Sequence, residues 1–178
     1  MAKTQLIERF VGRPVEQLFA ELGASQKLIG EIKTVSIVLA PSFQRDDIHA
    51  FPVGIEEFYT YCKSKNIDIA FCADGNPPII ELCSSQIRIG TLIVSYLLLP
   101  FLVNILSDYV YDKLKNTIPQ ETQVVEKEYQ SEPIVSFTIS VVDSCGIVKK
   151  EYSYEGPAKD IKEVTSHVEE LWNGSTDI

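Results

Sequence analysis

Any chemistry in this chain has to come from a short list of side chains. It holds two histidines and four cysteines, with 25 carboxylates set against 16 Lys and Arg. His49 follows Arg45, Asp46 and Asp47 in a segment bounded by Pro41 and Pro52. An imidazole beside carboxylates has the makings of a general base. A second polar group, Asp74 and Asn76 around Gly75, follows the apolar run 67–72. In open α/β sheets ligands sit beyond the carboxyl ends of strands. Asp46, Asp47, His49, Asp74 and Asn76 therefore make up the candidate ligand pocket.

Each of these residues also has a plainer reading. Asp-Gly-Asn-Pro is turn chemistry that needs no ligand, and a loop histidine ordinarily just faces water. No G-x-S-x-G, H-E-x-x-H or Gly-rich phosphate loop accompanies them, so no catalytic residue is assigned. Cys62, Cys72, Cys83 and Cys145 form no C-x-x-C pair, and neither histidine has metal-ligand spacing. No metal and no cofactor is expected. Cys62 and Cys72 read as small core residues, and Cys145 as part of the turn 143–146. Glu151 and Glu155, flanking Tyr152 and Tyr154, read as solvated edge acids.

The elements that would hold these groups are organised around one stretch, 87–116. Between Arg88 and Asp108 it carries no charge. That gap matches the length of a membrane-spanning helix, which leaves a membrane-attached protein with a span at 89–106 as one alternative. Pro100 in its middle argues against a simple span. The preferred reading is a short strand at 87 and 89 followed by a long apolar helix within 92–116, entered at or kinked by Pro100. Phe101, Leu102, Ile105, Tyr109 and Leu114 would then share a face.

Around this stretch, 4–22 reads as helix in two pieces, with Val15, Leu18, Phe19 and Leu22 on one stripe. The run 32–40 reads as an interior strand, 41–52 as a loop, 54–66 as a helix, 67–72 as a strand and 78–83 as a further strand. A linker is expected at 117–133. Beyond it, 134–142 and 147–154 form a hairpin. The last helix places Ile161, Val164, Val168 and Leu171 on one face with Trp172 beside them. The fold class is α/β or α+β: a mixed sheet with flanking helices, a long apolar central helix and a C-terminal ββα unit. Domain organisation reads as a main unit over 1–116 and a ββα appendage over 134–178 that packs on it or on a partner.

A net charge of −9 argues against nucleic acid and anionic membrane surfaces, both of which call for clustered Lys and Arg. The charged N-terminal segment lacks a signal-peptide pattern, so the cytoplasm is the expected location. The surplus of amphipathic rings and apolar stripes favours protein contact. The expected function is a non-catalytic interaction or regulatory module that binds a protein partner or its own copy. Its interface is expected at Leu98, Phe101, Leu102, Ile105, Tyr109, Tyr152, Tyr154 and Trp172. The alternative is a small-ligand sensor or small enzyme that uses the loops after the first two strands.

Overall fold

The computed structural model describes residues 5–45, 48–81, 86–117 and 133–174. In chain order the elements are β1 (Gln5–Pro14), α1 (Val15–Glu21), α2 (Gln26–Ile32), β2 (Ile37–Ala40), β3 (Phe43–Arg45) and β4 (Ile48–Pro52). Next come α3 (Gly54–Ser64), β5 (Ile69–Phe71), β6 (Ile79–Ile80), β7 (Ile87–Ser95) and α4 (Leu99–Thr117). The chain then forms β8 (Ile134–Val142), β9 (Ile147–Pro157) and α5 (Ile161–Gly174). The protein is thus a mixed α/β fold with a C-terminal strand–strand–helix unit. Six strands form one sheet in the order β1-β9-β8-β7-β2-β5, and β3, β4 and β6 form a small second sheet.

The apolar stretch divides at Ser95. Up to that residue it is a strand inside the sheet, paired antiparallel with β2 and parallel with β8. The helix expected over 92–116 is therefore shortened at its start, because Leu92, Ile93 and Val94 pair with β2 and β8 and are buried within the sheet's two apolar clusters. Ser95 caps a single 3₁₀ turn, Tyr96–Leu98, by accepting from the Leu97 N–H. Pro100 then falls in the first turn of α4, where its missing donor costs nothing. The suggested span at 89–106 is split between a strand and a helix. No helix among the described residues is long and apolar enough to cross a membrane.

One face of the sheet is covered by α3, α4 and α5. Their buried side chains, including Phe58, Leu102, Leu106, Val110, Val164 and Val168, pack against Leu39, Leu92, Phe137, Ile139 and Tyr152 of the strands. Each fully buried side chain of this size contributes about 1.5–3 kcal/mol. The buried stripe of α4 runs through Leu99, Leu102, Val103, Leu106 and Val110. It is rotated from the expected one, leaving Phe101 exposed and Ile105 half-buried. In α5 the expected Ile161, Val164 and Val168 are buried, as is Trp172 beside them, while Leu171 of the expected stripe is half-buried.

Among the described residues, the other face is covered at one end only. There α1 and α2 place Phe19, Leu28, Ile29 and Ile32 over Val38, Ala40 and Ile93, with Val15, Leu18 and Leu22 packed alongside. β2 is buried at every position, as expected for an interior strand.

Four expectations fail in identifiable ways. Residues 5–14 are not helical: they add to β9 as a long antiparallel edge strand, and pairing overrides a weak helical pattern. The strand expected from residue 32 starts only at Ile37. The residues before it form α2, capped by Ser25, whose hydroxyl accepts from the Leu28 N–H. The expected loop at 41–52 holds the β3–β4 hairpin. The strand expected at 78–83 is reduced to β6 within the described residues, and most of the expected linker and Cys83 lie outside them. The C-terminal unit is built into the same sheet, with β8 between β7 and β9, and β9 between β8 and β1.

Candidate functional site

The uncovered half of the second face carries a groove of about 320 Å³. Its lining includes Ile7 of β1, Ser42, Phe43 and Pro52 around the β3–β4 hairpin, Arg88 and Thr91 of β7, Ser136 and Thr138 of β8, and Ser153 and Glu155 of β9. Strand register explains why these residues meet. Directly opposed residues share a face. Arg88 faces Ser136 and Ser136 faces Glu155, so the three stand abreast on three neighbouring strands. One row along, Thr91, Thr138, Ser153 and Ile7 stand abreast on four. Beyond them lie Ser140, Glu151 and Arg9, with Arg9 donating to Glu151 at 3.0 Å.

Arg88 reaches this face because β7 is bulged. The register with β8 slips between Arg88 and Gly90, so that Ile89 is an extra residue. In an unbroken strand counted back from the buried Leu92, Ile89 would face the groove and Arg88 the core, since side chains alternate. The bulge exchanges them: Ile89 is fully buried and Arg88 lines the groove. Gly90 makes this possible with φ +96°, a conformation that L side chains rarely adopt. A Cβ on Gly90 would also stand 3.2–3.3 Å from the Ile55 side chain, the Ser42 Oγ and the Pro52 ring. The N-terminus of α3 presses on the same spot. A Cβ on Gly54 would come within 2.5 Å of the Arg88 carbonyl oxygen.

The groove floor is rich in hydroxyls. Thr138 Oγ1 and Ser153 Oγ lie 3.1 Å apart, and Ser42 Oγ and Thr91 Oγ1 lie 3.4 Å apart. Each hydroxyl can both donate and accept. A cationic guanidinium and a carboxylate stand on opposite sides of Ser136. The arrangement can hold a small polar molecule in a defined orientation, and it offers no nucleophile–base pair.

Searched against protein-family models, curated proteins and solved structures, the chain matches none of them. Function therefore has to be argued from these side chains alone.

The residues singled out in the sequence are elsewhere. Asp74 is bound to the start of α2: its two oxygens accept from the Ser25 N–H at 2.9 Å and the Ser25 hydroxyl at 2.8 Å. His49 lies against Gly23 in the same α1–α2 turn, where a Cβ would stand 3.2 Å from the imidazole Cδ2. Asp74 thus holds this turn in place and His49 packs against it, and neither lines the groove. Asn76 is exposed beside them. Asp46 and Asp47 lie outside the described residues.

Of the expected interface residues, Leu102, Tyr109, Tyr152, Tyr154 and Trp172 are buried in the chain's own core. Phe101 is exposed, and Leu98 and Ile105 are half-buried. Tyr154 is held in place when its hydroxyl donates to the Pro157 carbonyl at 3.0 Å. Burial pushes the Cys62 and Cys72 thiols and the Tyr109 and Tyr154 phenols up to about 12, with nearby Asp74 adding to the shift at Cys72. Such thiols are inert rather than nucleophilic.

The sequence held one usable sign of the groove. β8 alternates Ser136, Thr138 and Ser140 with Val135, Phe137, Ile139 and Val141, which marks a strand with one apolar and one hydroxyl face. Arg88 could not be assigned to that face without knowing of the bulge.

Proposed function

We propose that this chain is a non-catalytic protein-binding module that pairs with a second copy of itself along β1. The observation that carries this reading is the outer edge of that strand. β1 is ten residues long and ends the six-stranded sheet, and among the described residues no strand pairs with its other side. The opposite edge, β5, has only three residues, a common way of keeping an edge unreactive. β1 also carries two of the most exposed apolar side chains, Ile7 at 54% and Phe10 at 70%. A long edge with apolar side chains is the usual substrate for strand addition. A two-fold antiparallel pairing centred on Ile7 opposes no like charges, whereas centring on Glu8 or Arg9 opposes like charges across the axis.

Light scattering on the purified chain over a concentration series tests this. A dimer is expected that turns monomeric in Phe10→Lys with unchanged far-UV circular dichroism. A monomer at every concentration would overturn self-pairing. A second reading is favoured by the shoulder where β7 passes into α4. There Leu97 is 71% and Phe101 45% exposed, four residues apart. An association that survives Phe10→Lys and is lost in Leu97→Ser or Phe101→Ser would move the interface to this shoulder.

A further inference from the structure

The groove on the uncovered sheet face has features that the β1 reading does not use, and they describe a ligand. We infer that it is a binding site for a short zwitterionic molecule of dipeptide size. The carboxylate would sit on Arg88, the ammonium on Glu155, and the backbone between them over the hydroxyls of Ser136, Thr138 and Ser153.

Three observations carry this. The first is charge placement. Arg88, Ser136 and Glu155 stand abreast on β7, β8 and β9, so the cation and the anion are two strand spacings apart, about 10 Å between Cα atoms. An extended dipeptide spans about 7 Å, which suits side-chain heads that lean inward over Ser136. A purely anionic ligand that reached across the groove would meet Glu155, and a purely cationic one would meet Arg88. The second is the floor. Hydroxyls that both donate and accept can serve peptide N–H and C=O groups alike, and a guanidinium takes a carboxylate bidentately. The third is the cost of the arrangement. Gly90 adopts a left-handed conformation within a strand, and the resulting bulge turns Arg88 out of the core and into the groove. Bulges that re-aim a side chain are common beside binding sites. The volume of about 320 Å³ matches the small end of ligand pockets.

The test is calorimetry of the full chain with Ala-Ala, N-acetyl-Ala-Ala and Ala-Ala amide, repeated on Arg88→Gln and Glu155→Gln after circular dichroism shows that both are folded. Ala-Ala is expected to bind, and each blocked dipeptide to bind at least tenfold more weakly. Arg88→Gln should weaken Ala-Ala tenfold or more while making little difference to the amide. Glu155→Gln should do the same to Ala-Ala and leave the acetylated form unaffected. No binding of Ala-Ala at about 10 mM, well above the 1 mM dissociation constant of a weak complex, would overturn the inference. So would blocked dipeptides that bind as well as the free one, or variants that bind it unchanged. Neither substituted residue lies in β1, although Glu155 stands opposite Gln5; light scattering reads the pairing separately, so a failed dipeptide test leaves the pairing reading standing, and the reverse holds as well.

Discussion

Gly90→Ala probes the one strained position on which both the core and the groove depend. At φ +96° a side chain costs about 1–2 kcal/mol in conformational energy alone. The new methyl would also press on the Ile55 side chain, the Ser42 Oγ and the Pro52 ring at 3.2–3.3 Å. Ile55 and Pro52 are buried and have little room to retreat. Overpacking of this kind costs about 1–3 kcal/mol. The expected loss is therefore about 2–5 kcal/mol, or a fall in Tm of roughly 5–15 °C for a chain of this size. Gly146→Ala is the internal control. Gly146 also has positive φ, +77°, but nothing lies within 4 Å of its would-be Cβ, so only the conformational cost of about 1–2 kcal/mol applies. Urea denaturation of the two variants separates the effects. If Gly90→Ala were no more destabilising than Gly146→Ala, the packing around the bulge would be wrong, and with it the reason given for where Arg88 points.

Four further outcomes follow from the same geometry. Asp74→Ala should cost about 1.5–3 kcal/mol, the range for hydrogen bonds to a charged group, and a double-mutant cycle with Ser25→Ala in urea denaturation should show coupling between the two. The buried hydroxyls of Ser107 and Thr165, 3.0 Å apart between α4 and α5, should behave asymmetrically. Thr165→Val alone removes the partner of the Ser107 hydroxyl and is expected to cost about 1–3 kcal/mol. Ser107→Ala should cost less, because the Thr165 hydroxyl still donates to the Lys162 carbonyl at 3.1 Å, and the double variant should cost less than the sum of the two. Stability should also fall in alkali. Cys62 and Cys72 are raised from about 9, and Tyr109 and Tyr154 from about 10, to about 12. The unfolded chain therefore releases these protons first. Their contribution is intact below about pH 8 and is lost progressively as pH rises from 9 toward 12, which urea midpoints across that range will show. In the same solutions below pH 9, a thiol reagent should modify the exposed Cys145 quickly and the buried Cys62 and Cys72 only on unfolding.

What could be read from the sequence follows from how local each signal is. The β8–β9 turn was legible because Asp143 and Gly146 carry it by themselves: the Asp143 carboxylate accepts from the Cys145 and Ile147 N–H groups, and Gly146 supplies positive φ. The buried stripe of α5 was legible because its apolar residues recur at helical spacing. Residues 5–14 were misread because their state is decided by β9, more than 130 residues away, and nothing in Leu6–Ile7–Glu8–Arg9 reports that pairing. α2 was missed although Ser25 is a proper cap, because half of what fixes it is the remote Asp74. The same remoteness explains the candidate site. Asp74 does follow a strand, but its remote partner Ser25 commits it to a turn, while His49, expected in a loop, lies within β4 opposite Gln44. Arg88, which lines the groove, sits in a run that reads as plain apolar strand. Tyr109, Tyr152 and Tyr154, expected at an interface, are buried in the core, and amphipathic rings look alike in sequence whether they face solvent or close a core.

Among the described residues, the uncovered half of the sheet is lined by polar side chains. Ser136, Thr138, Ser153, Glu151, Glu155 and Arg9 share that face by register. Burying them under an apolar element would leave several polar groups unpaired, at about 1–3 kcal/mol each. Water or a polar ligand can occupy this face, while an apolar surface cannot. The β1 edge makes the opposite demand. Ile7, opposite Ser153, belongs to the groove face. Phe10, opposite Lys150, falls on the other face by alternation from the buried Tyr152. Ile7 therefore borders both proposed sites and Phe10 only one. Phe10→Lys should abolish self-pairing and leave dipeptide binding intact, whereas Ile7→Lys should disturb both. Equal effects of the two substitutions on ligand binding would mean that edge and groove are one site, filled by a single extended chain whose terminus lies on Arg88 and Glu155.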